Sequence, residues 1–242
     1  MIILSVGMPR AGSGWHYNLI HDLMQTTGCA DVREIRERYR LQHILTEVNC
    51  NIGVLSARRL ALVALPALVG NTFVVKAHAG PTSASRLLRR LGLLRTTYIY
   101  RDPRDAMLSA YEYGQRALKK GHPNAFSHLT DFQKSVDFIM DYLRIWKKWM
   151  KEKNVLVERY EDLLTDYDHE VTRLAGFLKL SARKAAVQNV IDTYRPSVAE
   201  GQQGLHFYKG KIGRFREVYS AQEQGVLKQK LGPYLKRMGY EL

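Results

Sequence analysis

A short apolar run that breaks into a glycine-rich loop constrains this chain more than any other feature. Ile2, Ile3, Leu4 and Val6 read as a buried strand. The run ends at Gly7. The next eight residues hold Pro9, Gly12, Ser13 and Gly14 around one cation, Arg10, before a helical pattern opens at Trp15. A strand, a loop of small residues and a helix together make an anion cradle. Glycines let backbone N–H groups turn toward a phosphate, and the helix N-terminus adds partial positive charge. The loop is not a Walker A motif, because Ser13-Gly14 stands where that motif requires Lys followed by Ser or Thr.

The rest of the chain repeats the strand-then-helix pattern. Residues 73–76, 96–100 and 155–157 read as further strands. Helical patterns cover 15–25, 83–91, 106–115, 131–151, 167–178, 182–193 and 221–238. Residues 32–45 read as a charged helix or solvated linker, and 118–130 as a loop. The apolar stretch 49–68 resists assignment, because Gly53 and Pro66 interrupt it. Alternation of this kind predicts an α/β fold, a central parallel β-sheet flanked by helices. At 242 residues the chain is expected to form a single domain over 1–242. Residues 195–216 show no periodicity and carry four glycines, which predicts a mobile lid.

Charge is the one unusual term in the composition. Thirty-seven Lys and Arg against 23 Asp and Glu leave +14, a balance that attracts polyanions without choosing among them. Two cysteines imply no disulfide framework and make a reducing cytoplasm the expected compartment. The most apolar segment, 60–69, is too short to span a bilayer and contains Pro66, so no membrane span is expected.

In a parallel sheet, ligands sit beyond the strand C-termini. Four strand ends deliver Arg10, Lys76, His78, Arg101 and Tyr160 to that edge. Three cations, an imidazole and an aromatic ring suit a nucleotide bearing phosphate-like groups at both ends.

These residues resemble the sulfotransferases that use 3′-phosphoadenosine 5′-phosphosulfate (PAPS), a P-loop-containing nucleotide-binding family, and the cytosolic branch in particular. The first family signature, close to PKSGTTW, is met by Pro9-Arg10-Ala11-Gly12-Ser13-Gly14-Trp15. The second, a strand followed by Arg with Ser eight residues on, is met by Arg101 and Ser109. Lys76-Ala77-His78 matches the Lys-x-His after the second strand, and Tyr160-Glu161-Asp162 the Tyr-Glu-Asp after the fourth. Lys209-Gly210-Lys211-Ile212-Gly213 matches a C-terminal Lys-Gly-x-x-Gly segment.

The resemblance implies transfer of a sulfuryl group from PAPS to the hydroxyl of a small-molecule acceptor, leaving adenosine 3′,5′-bisphosphate (PAP). It implies that the loop of Arg10, Ala11, Gly12, Ser13 and Gly14 holds the 5′-phosphosulfate while Trp15 stacks on adenine. Arg101 and Ser109 would hold the 3′-phosphate, with Lys209 and Gly210 closing over it, and Tyr160 and Thr193 would contact the adenine. His78 would be the general base, at an ordinary pKa of about 6.5, and Lys76 and Arg10 would neutralise the leaving oxygen. No metal and no nucleic acid is expected.

The chain also differs from the family pattern. Arg10 replaces a lysine, Ala11 a serine, and Ser13 and Gly14 two threonines. Tyr208 stands where an Arg is usual, which leaves a weaker grip on the 3′-phosphate or passes it to Lys211 or Arg214. The alternatives to this reading are a P-loop kinase of a small metabolite and a non-catalytic basic module for nucleic acid.

Overall fold

The computed structural model describes residues 1–199 and 210–242. Four parallel strands form the sheet: β1 (Ile2–Gly7), β2 (Phe73–Ala77), β3 (Leu94–Tyr100) and β4 (Val155–Arg159), in the order β2-β1-β3-β4. Register is tight along β1, with Leu4 opposite both Val75 and Thr96. The expected parallel sheet flanked by helices is therefore what forms.

The strands lack polar alternation because both of their faces are covered. Ile2, Leu4 and Val6 point into one core, together with Phe73, Val75 and Ala77. That core is closed by α2 (Val32–Arg38), α3 (Ala57–Leu68), α6 (Phe132–Trp149) and α12 (Ala221–Met238). Ile3, Val74 and Ile99 point into the other, against α1 (Ser13–Gln25), α8 (Tyr167–Phe177) and α9 (Ala185–Thr193). Period-two alternation thus sorts one apolar run between two cores.

The remaining helices are α4 (Ser83–Arg90), α5 (Pro103–Lys119), α7 (Tyr160–Thr165), α10 (Pro196–Ala199) and α11 (Phe215–Val218). The ambiguous 49–68 stretch contains α3, whose Pro66 sits in the last turn and is buried, while Leu60, Val63, Ala64 and Ala67 join the first core. Helix α5 begins at Pro103, three residues before the 106–115 pattern, under an Asp102 cap that accepts from the Arg104 N–H at 2.9 Å, with the proline suited to the first turn. It runs further than the pattern suggests, because its second half packs on α6 and on the 124–129 turn.

Residues 200–209 of the segment read as a lid lie outside the described residues. Its described C-terminal part is fastened to α5: the buried Asp105 carboxylate accepts from the N–H groups of Gly213 (2.7 Å) and Phe215 (3.0 Å). Both cysteines are buried free thiols. Among the described residues no helix is long and apolar enough to cross a membrane.

Candidate active site

The C-terminal edge of the sheet opens into a cleft of about 360 Å³. Its walls bring together Arg10, Gly12, Ser13, Gly14, Lys76, His78, Arg101, Ser109, Tyr160 and Gly210, ten of the residues the sequence nominates. None of the described lining residues is Asp or Glu. Lys209 lies outside the described residues.

The loop is shaped for an anion by its backbone. Arg10 and Gly12 both adopt left-handed conformations, at φ 64° and 74°. For Arg10 this costs about 1–2 kcal/mol. Gly12 is required twice over, because a Cβ there would also lie 2.5 Å from the Tyr160 ring. Left-handed residues of this kind let backbone N–H groups form a nest for an anion, although the Ala11 N–H turns back to the Met8 carbonyl at 3.2 Å. Helix α1 then begins at Ser13 with no acidic residue in its first turn, so its partial positive charge is not neutralised locally.

Lys76 is the last but one residue of β2 and is buried, with no carboxylate partner among the described residues. Burial, with Arg10 adding to it, lowers its pKa to about 8. His78 lies just past the strand, and its Nδ1 is 2.6 Å from the Gly7 carbonyl oxygen. A carbonyl can only accept, so Nδ1 carries the proton and Nε2 keeps its lone pair. Burial first, and Lys76 second, push the His78 pKa down to about 4 against the raising effect of the Gly7 carbonyl. The expected value of about 6.5 is thereby corrected. His78 is neutral across the physiological range, and as a base it is more available and weaker.

Arg10 departs from the expected placement. Its Nε donates to Ser109 Oγ at 3.3 Å, and its guanidinium lies 4.4 Å from the centroid of the Tyr113 ring. It therefore bridges the loop to α5. Arg101, at the end of β3, is buried over the Tyr160 ring (4.7 Å) and donates through Nη2 to the Lys211 carbonyl (2.7 Å) and to Asp105 (3.3 Å). Its Nε is buried without a partner among the described residues, a donor that a bound phosphate can satisfy.

Three nominated residues do not reach the cleft. Ala11 is fully buried in the first core. Thr193 is exposed on α9 and spends its hydroxyl on the Asn189 carbonyl (2.8 Å). Trp15 is fully buried, stacked against Tyr167 and edge-on to Tyr160, and its Nε1 donates to the Tyr194 carbonyl at 3.2 Å. The indole presents no exposed face to the cleft in this geometry. Arg214 lines the cleft but is paired with Glu112 (2.5 Å), whereas Lys211 is exposed at the rim.

The sequence reading missed Tyr113, Phe126, Val48 and Asn49, which also line the cleft. Tyr113 was findable, since it lies four residues after Ser109 on one helix face. Beneath the loop lies a buried chain that sequence reasoning also missed. Ser5 Oγ is 3.3 Å from His16 Nδ1, and His16 Nε2 is 2.7 Å from Glu158 Oε2, tying α1 to β1 and β4.

A model of the sulfotransferase domain matches residues 2–198. The chain belongs to the sulfotransferase family. Human sulfotransferase 2B1 is 29% identical over 148 residues, 52% of this chain and 40% of that protein. Zebrafish (Danio rerio) sulfotransferase 6B1 is 25% identical over 164 residues, 60% of this chain and 55% of that protein. The matched stretch thus spans about half the length of these sulfotransferases or less.

Among solved structures, retinol dehydratase in complex with androsterone and inactive cofactor PAP superposes with a TM-score of 0.62 at 17% identity, covering 100% of this chain and 82% of that one. Mouse sulfotransferase SULT7A1 complexed with PAP gives 0.59 at 13% identity, covering 97% and 84%. At such identities the likeness establishes a shared sulfotransferase fold. Among the described residues no group of three His, Cys, Asp or Glu side chains is placed to hold a metal ion.

Proposed function

We propose that this chain transfers a sulfuryl group from PAPS to the hydroxyl of a small-molecule acceptor and releases PAP. The observation that carries the reading is one cleft, with no carboxylate among its described lining residues, that brings together a buried lysine, a neutral histidine, the glycine-rich loop and a buried arginine. PAP bound in the two superposed structures, with androsterone also bound in one of them, supports the same donor and a small-molecule acceptor.

The residues fit a nucleotide charged at both ends. The nest of Arg10–Gly14 and the start of α1 would hold the 5′ end; Arg101, Ser109 and Gly210 would hold the 3′-phosphate. Arg10, drawn toward Ser109, belongs more to the 3′ grip than to the leaving oxygen. Tyr160, beside Arg101 and Gly12, is kept as a contact for the nucleoside. When bound, PAPS supplies a sulfuryl group already activated by a phosphate leaving group.

His78 Nε2 then takes the proton of the acceptor hydroxyl, which frees that oxygen to attack. Lys76 supplies positive charge against the oxygen left behind. Groups of this kind are worth about 2.7–4 kcal/mol each when prearranged in a site that excludes water. Val48, Asn49, Tyr113 and Phe126 give the cleft apolar and amide surface against which an acceptor would lie.

Ligand-dependent melting tests the donor. PAP at about one hundred times its dissociation constant stabilises the native state by about 2.7 kcal/mol. The melting temperature is expected to rise with PAP and to move little with ATP and Mg²⁺ at equal concentration. The reverse order would favour a kinase.

The two shifted pKa values predict a bell-shaped profile for kcat/KM, which reports the free enzyme. Activity needs His78 neutral and Lys76 charged. It is expected to rise with pH through about 4 and to fall through about 8. In Lys76→Arg the limb near 8 should vanish, because a guanidinium stays charged. An acid limb at about 6.5 would show that His78 is unshifted.

A further inference from the structure

A second cavity, of about 720 Å³, lies at the opposite edge of the sheet from the active-site cleft. Leu94 and Arg95, which open β3, and Lys153 and Asn154, which precede β4, form part of its wall. The two cavities are therefore separated by the length of a strand, roughly 20 Å. Six cations line it, Arg86, Arg89, Arg90, Arg95, Lys151 and Lys153, against the single carboxylate of Glu152.

Local pairing does not cancel this charge. Glu152 holds Arg86 (2.8 Å) and Arg89, which fixes two guanidinium groups in place on α4. Arg89 also donates to the Lys153 carbonyl at 3.0 Å, and its Nε is buried without a partner among the described residues. Arg95 is held by the Phe177 carbonyl (3.1 Å) and lies 5.8 Å from the centroid of the Phe177 ring. Arg90, Lys151 and Lys153 make no ion pair among the described residues. Held guanidinium groups with unpaired cations around a concave wall focus positive potential and select for clustered negative charge.

We infer that this cavity is a second ligand site, separate from the active-site cleft, for an anion bearing two or more clustered phosphate or sulfate groups. Guanidinium groups present paired N–H donors to the oxygens of such groups, and the lysines add mobile charge at the rim. The shared chemistry is the clustered dianion, whether on a soluble molecule or on a lipid headgroup.

Titration calorimetry with inorganic tripolyphosphate tests the site on the full chain. Arg90 and Lys151 are exposed, so the double variant Arg90→Gln/Lys151→Gln should keep the wild-type melting temperature. It is expected to lose affinity at one site by about tenfold, equivalent to ~1.4 kcal/mol. That same component should persist in Arg101→Ala, whose lesion is in the other cleft.

Cosedimentation with phosphatidylcholine vesicles containing a phosphoinositide distinguishes the sources. Vesicle binding that depends on Arg90 and Lys151 assigns a lipid headgroup, and tripolyphosphate binding without it assigns a soluble ligand. Identical titrations for wild type and the double variant, or saturable binding that disappears entirely in Arg101→Ala, would overturn the inference.

Discussion

His78→Ala is expected to lower sulfuryl transfer by about 10²–10⁴-fold, the usual contribution of a positioned base. PAP affinity should stay within about threefold, since one tenfold step equals 1.4 kcal/mol and no charge is removed. The expectation rests on geometry. The Gly7 carbonyl fixes the Nδ1 proton and leaves Nε2 as the free basic atom in the cleft. Losing that hydrogen bond costs about 1 kcal/mol of stability, too little to unfold a domain of this size. The variant should also lose the acid limb of the pH profile. Turnover equal to wild type, with the limb intact, would remove His78 from the mechanism.

Arg101→Ala is expected to weaken PAP by about 2–4 kcal/mol, roughly 30- to 1,000-fold, the cost of deleting a buried charged hydrogen-bonding group. Adenosine 5′-phosphosulfate, which lacks the 3′-phosphate, should lose much less. That contrast separates recognition from structural damage. Arg101 also holds the Lys211 carbonyl and Asp105, so a general loosening of the 210–216 segment would weaken both nucleotides alike. Equal losses for the two ligands in calorimetric titrations would refute the assignment of Arg101 to the 3′-phosphate.

Much of this architecture is legible in the chain because it is local. The run Ile2–Val6 reads as a strand buried on both faces, and it divides its side chains between two cores. Pro103 marks the first turn of α5, and the spacing from Arg101 to Ser109 carries both to one cleft. Lys76 and His78 could be nominated because both lie at a strand end, where parallel sheets collect their ligands.

What was not legible depends on contacts between distant residues. Trp15 follows the loop directly, a position equally consistent with core and cofactor. Only the packing of Tyr167, 152 positions later, makes it core. Glu158 looks like the polar end of a strand until His16 meets it from 142 residues away. The direction of Arg10 is set by Ser109 and Tyr113 on α5, and no local pattern encodes it. The His78 pKa was misjudged for the same reason, because burial and Lys76 are properties of the folded site. Helix α3 was obscured by Pro66, which lies buried in its last turn.

The central claim is that this family member uses its cleft for sulfuryl transfer, and following radiolabelled sulfur from PAPS tests it most directly. With a panel of phenols, alcohols and sugars, the account predicts label on an acceptor hydroxyl, one PAP released per label transferred, and loss of both in His78→Ala. PAPS left intact by the wild-type chain across the panel, while ATP with Mg²⁺ is consumed, would contradict it.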